Sequence, residues 1–173
     1  MGILNVTPNS FSDGGQYFDS ALAVKRAHEM VEEGADIIDI GGESTRPGSE
    51  PVTLQEEIAR TIPVIEEISK KIKVPISIDT YKAEVAKRAM DAGASIVNDI
   101  SGLRFDPEMP KVVSQYKVPV VIIHIKGTPK NMQANPQYEA LIPEVMDYLR
   151  ESIRLAVESG IAEDKIIIDP GIG

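Results

Sequence analysis

The stretch from Pro75 to Asn98 reads PISIDTYKAEVAKRAMDAGASIVN and contains the pattern that decides the fold. The apolar run Pro75–Ile78 ends at Asp79, a segment with helical period follows, and a second apolar run, Ser95–Val97, ends at Asn98. Short runs that are apolar throughout are typical of strands buried on both faces, and an intervening helix is typical of a parallel pair. This stretch therefore predicts two parallel strands joined by a helix.

The same alternation of short apolar runs and helical segments extends along the chain. The apolar runs rich in isoleucine and valine are Ile3–Val6, Ile37–Ile40, Pro75–Ile78, Ser95–Val97, Val118–Ile123 and Lys165–Ile168. The clearest helical stripe between them runs from Ile58 to Ile72 and opens with a capping box at Thr53 and Glu56. Pro63 lies inside that segment and predicts a kink or a break. Gly93 is placed to end the helix of the first stretch.

The ends of the apolar runs separate the two possible architectures, an open doubly wound sheet and a (β/α)8 barrel. No glycine fingerprint follows the first strand, which counts against a dinucleotide-binding sheet. A polar residue lies at or near the end of every run, and these residues are Asn5, Asp39, Asp79, Asn98, His124 and Asp169. One such residue is usually a turn former or a helix cap, but the whole set favours the rim of a barrel mouth. We therefore predict an α/β fold of the TIM type, with about six βα units in this chain.

Bulk composition narrows the classes of function. The 173 residues carry a net charge of −9, which disfavours nucleic-acid binding. The chain has no cysteine, which excludes disulfides and thiolate–metal sites. No apolar run is long enough to cross a membrane. Acidic pairs on the helical segments, such as Glu56 and Glu57, are expected to be solvated. Because no linker or low-complexity stretch interrupts the chain, residues 1–173 are expected to form one domain.

The rim residues suggest what the mouth binds. Carboxylates accept two N–H bonds side by side, and amides both donate and accept, so this set suits a flat purine-like or pterin-like ring. The glycine-rich segment Gly41–Gly48 contains Arg46, whose guanidinium matches phosphate oxygens. Taken alone, a pair of glycines is more often a tight turn than a phosphate site.

Several long motifs resemble the signatures of the dihydropteroate synthase family. The opening MGILNVTPNSFSDGG resembles its first signature, with Asn9 where many members carry aspartate, and GGESTRPG at Gly41–Gly48 resembles its second. The resemblance spans the chain and implies a TIM-type barrel with a pterin in its mouth. It also implies condensation of 6-hydroxymethyl-7,8-dihydropterin pyrophosphate with 4-aminobenzoate, which yields 7,8-dihydropteroate and pyrophosphate in folate biosynthesis.

The resemblance assigns roles to the residues at the strand ends. Asp79, Asn98 and Asp169 match the residues that hydrogen-bond the pterin ring, and Asn5 matches a contact to Mg²⁺. A buried carboxylate favours positive charge that develops on the ring, which makes Asp79 a candidate catalytic residue, although orientation of the ring alone is an equal alternative. His124 is left outside the catalytic set.

The resemblance also assigns roles to the two loop motifs. Thr45 and Arg46 match residues near the bridging carbon and the pyrophosphate of the substrate, and Arg46 joins Asp79 as a candidate catalytic residue. Phe11 and Pro47 match positions that form the 4-aminobenzoate pocket, which is the target of sulfonamides in the family.

The family pattern is longer than this chain. Its lysine-bearing seventh strand and its eighth strand would follow Gly173, and a short hairpin would precede Met1, so the barrel domain is expected to be incomplete at both ends. The resemblance further implies a cytoplasmic enzyme, a homodimer when full length, with no nucleic-acid or membrane partner.

Two alternatives remain. A methyltransferase that passes a folate methyl group to a corrinoid would share the ring-binding aspartates and asparagine, although it has no need of the two loop motifs. A non-catalytic pterin-binding module would share the barrel, but the intact rim residues argue against it.

Overall fold

The computed structural model describes residues 1–7, 20–44 and 49–172. Its strands are β1 (Gly2–Asn5), β2 (Ile38–Gly41), β3 (Ile76–Asp79), β4 (Ile96–Asp99), β5 (Val120–Ile123) and β6 (Ile166–Asp169). Its α-helices are α1 (Ser20–Glu32), α2 (Leu54–Ser69), α3 (Ala83–Ala92), α4 (Met109–Tyr116) and α5 (Leu141–Glu158). The strands therefore lie within a residue or two of the apolar runs, and α4 is a helix that the sequence patterns did not predict.

The strands form one parallel sheet in the order β1-β2-β3-β4-β5-β6. Because each strand pairs with the next in sequence, the sheet has no point at which the strand order reverses, as a doubly wound sheet would. Sequential parallel strands joined by helices are the arrangement of a TIM-type barrel. The predicted α/β fold with six strands of such a barrel is confirmed.

The register divides the strand residues between two faces. Leu4, Ile40, Ile78, Val97 and Val120 lie side by side in one row, and all five are fully or almost fully buried. Since successive strand residues point to opposite faces, this row packs against the helices and its neighbours in sequence line the inner face of the sheet. All the polar strand-end residues except His124 belong to that inner face, since His124 alternates with Val120 and packs against Tyr148 of α5.

Helix α2 shows how the sequence signals act in the folded protein. The predicted cap at Thr53 is confirmed, because its hydroxyl accepts a hydrogen bond from the Glu56 backbone N–H at 3.3 Å. Of the predicted kink or break at Pro63, the break is wrong, because the helix is continuous from Leu54 to Ser69, and the kink stays a prediction. Pro63 and Ala59, whose carbonyl loses its helical partner, are both exposed, so water can satisfy that carbonyl while the opposite face packs on the core.

Glycine permits two close approaches next to the sheet. Gly93 ends α3 with φ of 113°, a left-handed conformation that favours glycine, as predicted from the sequence. At Gly42, directly after β2, a Cβ atom would lie 2.7 Å from Thr61 Cγ2, so a side chain there would collide with α2.

No helix within the described ranges is long and apolar enough to cross a membrane.

Candidate functional site

The carboxyl ends of the first four strands form a polar row on the inner face. Asn5 pairs in register with Gly41, Gly41 with Asp79, and Asp79 with Asn98. Because Gly41 has no side chain, its neighbours can approach each other above it. A Cβ atom there would lie 3.4 Å from Asp79 Oδ2 and 3.8 Å from Asn5 Oδ1. The structure therefore brings together three of the residues that the sequence placed at the rim.

Asp79 is an acceptor in strongly acidic surroundings. Burial, followed by the negative charges of Asp39, Glu57, Asp99 and Glu43, raises the pKa of its carboxyl well above the usual range. None of the described side chains or backbone N–H groups donates a hydrogen bond to this carboxyl. A ligand that brings N–H donors or positive charge would stabilise the anion.

The side chain of Asn98 is hydrogen-bonded to Asp39 on the neighbouring part of the inner face. The Asn98 Nδ2 donates to Asp39 Oδ2 at 3.2 Å, and both side chains are buried. Burial raises the pKa of Asp39, an effect that its hydrogen bonds partly offset. Among the described residues, Asn98 Oδ1 has no hydrogen-bond partner although it is buried. The buried Asp39 carboxylate thus has a donor at Oδ2, whereas its Oδ1 has no hydrogen-bond partner among the described residues.

Asp169 and His124 lie further along the rim, at the ends of β6 and β5. The Asp169 Oδ1 accepts a hydrogen bond from the Gly171 N–H at 2.8 Å, and its backbone carbonyl accepts one from the His124 N–H at 2.9 Å. The His124 ring packs edge-on against Tyr148 with a centroid distance of 4.9 Å. Burial lowers the pKa of His124. A neutral, packed imidazole fits a structural role, in line with its exclusion from the catalytic set.

A buried ion cluster beside Asp79 was missed by the sequence analysis. We call Glu43, Glu57 and Lys82 the Lys82 triad. The Lys82 Nζ lies 2.5 Å from Glu43 Oε2 and 2.5 Å from Glu57 Oε2. Thr80 Oγ1 donates to Glu57 Oε1 at 2.6 Å, and the Tyr81 hydroxyl donates to Glu43 Oε1 at 2.7 Å. The triad ties the end of β2 and helix α2 to the segment that follows Asp79.

The triad overturns one expectation. Glu57 is not solvated, because only 1% of its surface is exposed, whereas its neighbour Glu56 lies in solvent and pairs with Arg60. The available signal was helical spacing, since Glu57 shares the buried face of α2 with Thr61, Ile65 and Ile68.

Asp99, directly after Asn98, organises the turn behind the rim. Its Oδ1 accepts from the Ser101 N–H at 2.7 Å and from the Ser101 hydroxyl at 2.6 Å, and its Oδ2 accepts from the Leu103 N–H at 3.1 Å. Burial raises the pKa of Asp99 to about 6 despite these bonds. The turn fixes the backbone from which Asn98 projects.

The loop motifs lie outside the described residues, and so do Phe11, Thr45, Arg46 and Pro47, the site residues predicted in them. Within the described residues, no group of three or more His, Cys, Asp or Glu side chains is arranged to hold a metal ion by itself. The amide oxygen of Asn5, which like the Asp79 carboxylate lies beside Gly41, fits a hard cation that takes most of its ligands from substrate and water.

The chain resembles known proteins along its full length. The family described as pterin binding enzyme matches residues 1–173. The dihydropteroate synthase of Bacillus subtilis (strain 168) is 54% identical over 173 residues, which are 100% of this chain and 58% of that protein. The chain thus spans about three fifths of the length of that curated relative.

Solved structures show the same relationship. Xanthomonas albilineans dihydropteroate synthase with 4-aminobenzoic acid matches with a TM-score of 0.91 and 44% identity, covering 99% of this chain and 60% of that one. The Yersinia pestis dihydropteroate synthase in a sulfonamide drug complex matches with a TM-score of 0.92 and 42% identity, covering 99% and 62%.

Proposed function

The chain belongs to the family of pterin-binding enzymes, and from that premise we propose that the intact protein is a dihydropteroate synthase. It would condense 6-hydroxymethyl-7,8-dihydropterin pyrophosphate with 4-aminobenzoate. The observation that carries the proposal is the inner-face row of Asn5, Asp79 and Asn98, which are adjacent in register around Gly41. High identity to a synthase along the whole chain supports the same reaction.

The rim residues would bind the pterin ring through its hydrogen-bonding edges. Asp79 and Asp169 would accept N–H bonds from the ring and its amino group, since an ionised carboxylate only accepts. Asn98 would complete the set through its carboxamide. Burial and the neighbouring carboxylates raise the pKa of Asp79 and make an anion there costly in the free protein, and bound N–H donors would offset that cost.

In the proposed reaction, the bond between the pterin methylene and the pyrophosphate oxygen breaks before the arylamine attacks. The pyrophosphate leaves with both bonding electrons, and positive charge spreads from the methylene into the ring. The Asp79 carboxylate would stabilise this charge at close range. The nitrogen of 4-aminobenzoate then bonds to the methylene and loses a proton to solvent.

Charge on the leaving pyrophosphate requires cations. Arg46, near Thr45 in sequence, would bind its oxygens through a bidentate guanidinium. Asn5 would contribute an amide oxygen to Mg²⁺, which neutralises phosphate charge when bound. In a chain of net charge −9, these local cations oppose an otherwise unfavourable field.

Phe11 and Pro47 would form the 4-aminobenzoate pocket. The Xanthomonas relative was solved with 4-aminobenzoic acid and the Yersinia relative with a sulfonamide drug. We therefore expect sulfonamides to compete with 4-aminobenzoate. Homodimer formation and a cytoplasmic location are part of the same proposal, and the molar mass measured by light scattering tests the first of them.

Pyrophosphate release from the pterin substrate tests the function. Release that depends on 4-aminobenzoate supports the synthase. Methyl transfer from a folate to a corrinoid without such release would identify the methyltransferase, and pterin binding without any turnover would identify the binding module.

The ring site is tested by Asp79→Asn and Asp169→Asn. Each change should weaken pterin binding by roughly 1–3 kcal/mol, the value of a charge-assisted hydrogen bond. Asp147→Asn is a matched control, because the side chain of Asp147 is 71% exposed on α5. Calorimetry that finds unchanged affinity in both rim variants would contradict the assignment.

A further inference from the structure

Asp39 is a buried carboxylate to which the reaction proposed above assigns no contact with the substrate. It lies on β2, two residues before Gly41 and therefore on the same inner face, one layer below the polar row. Ser77 pairs with it in register on β3. Only 3% of Asp39 is exposed, so this carboxylate can influence a bound ligand only through the residues that lie between it and the mouth.

The contact between Asp39 and Asn98 settles the direction of an amide. A carboxylate can only accept hydrogen bonds, so the Asn98 group that faces Asp39 Oδ2 at 3.2 Å must be the NH₂ group. The Asn98 Oδ1 then points away from Asp39. That oxygen is buried, and within the described residues it has no donor.

We propose that Asp39 is a positioning residue that fixes the Asn98 carboxamide so that its oxygen, rather than its nitrogen, faces the bound ring. The inference deepens the proposed function and rests on it for the identity of the ring. Rotation of an unconstrained amide by half a turn would present a donor instead, and a ring N–H would then meet an N–H. Asp39 thereby selects ligands that present an N–H donor at this point of the rim.

A neutral isostere at position 39 removes the constraint. An asparagine can donate or accept, so Asp39→Asn allows Asn98 to adopt either orientation. We expect affinity for 6-hydroxymethyl-7,8-dihydropterin to fall roughly tenfold or more, since a buried N–H left without an acceptor is costly. The KM for 4-aminobenzoate should stay unchanged because the contact lies under the pterin ring. A purely structural role would affect both substrates together.

Exchanging the two residues provides the decisive rescue. In Asp39→Asn combined with Asn98→Asp, an amide supports a carboxylate, and a carboxylate at position 98 always presents an acceptor. We expect the double variant to bind the pterin more tightly than Asp39→Asn alone. Asn98→Asp alone places two carboxylates in contact and should lose thermal stability. Wild-type affinity in Asp39→Asn, or weaker binding in the exchanged pair than in Asp39→Asn, would overturn the proposal.

Nuclear magnetic resonance of the intact protein without ligand gives a test that needs no variant to bind. The side-chain NH₂ of Asn98 should show one strongly downfield, slowly exchanging proton, bonded to the Asp39 carboxylate. Two equivalent, rapidly exchanging protons would refute the orientation. If the wild-type protein fails to bind the pterin but shows this signature, the proposed function fails while the geometry of the pair stands.

Discussion

Replacing Lys82 with methionine should destabilise the protein through the Lys82 triad. Methionine keeps much of the aliphatic stem and removes the ammonium group. Glu57, 1% exposed at its side chain, and Glu43, 7% exposed, would then share a buried site without the cation that lies 2.5 Å from each of them. Hydrogen bonds from Thr80 and Tyr81 would remain.

The size of the expected loss of stability in Lys82→Met follows from the burial of the triad. Removing one partner from a buried ion pair costs about 3–5 kcal/mol, because the other charge is left uncompensated. Two carboxylates lose their partner here, but the Lys82 side chain is 18% exposed, so water can reach the site. We therefore expect about 3–4 kcal/mol, which would lower the melting temperature by roughly 6–16 °C in a protein of this size.

Urea and thermal denaturation, followed by circular dichroism, measure the effect. Lys87→Met is the matched control, because Lys87 lies exposed on α3, the helix that begins directly after Lys82, and should change stability by less than about 0.5 kcal/mol. Adding Glu57→Gln to Lys82→Met removes one uncompensated charge and should recover part of the loss. A Lys82→Met protein as stable as the control would show that the triad contributes nothing.

Three further changes test local features of the fold. Gly42→Ala should cost about 1–3 kcal/mol by collision with Thr61 Cγ2, and Thr61→Ser, which removes that methyl group, should reduce the cost in urea titrations. Thr53→Ala should cost about 1 kcal/mol through loss of the α2 cap, and an unchanged urea midpoint would contradict this. The pKa of Asp99, raised to about 6 from about 3.9 when unfolded, means that the folded state binds the proton more tightly, so stability should fall by about 2 kcal/mol as the pH rises from 4 to 6. This decline should be absent in Asp99→Asn, measured by melting temperature against pH.

The sequence predicted the sheet and its polar ends because both signals are local. Each strand is a short apolar run, and the polar residue at its end, such as Asp79 or Asn98, is adjacent in sequence. In parallel strands joined by helices, the carboxyl ends meet at one edge, so local order was enough to place these side chains together. The register around Gly41 was not available from such runs, since it depends on how neighbouring strands pair.

The Lys82 triad could not be predicted for the opposite reason. Glu57 is separated from Lys82 by 25 positions, and a pair of glutamates on a helix is usually solvated. The contact forms only when α2 packs beside the end of β3. Pro63 shows the same limit, since its effect depends on whether the carbonyl it frees faces water or the core.

The distribution of charge around the rim bears on the order of events in the proposed reaction. Asp79 is surrounded by the negative charges of Asp39, Glu57, Asp99 and Glu43, which oppose its own ionisation. The same charges favour a ring that becomes positive, and they do so before any nucleophile arrives. Attack by the arylamine on an intact pyrophosphate ester would create little positive charge on the ring and would gain little from this field. The acidic surroundings therefore favour departure of pyrophosphate first in the proposed reaction, in which the cations proposed at Arg46 and Asn5 would act on the leaving group and the carboxylates would act on the ring.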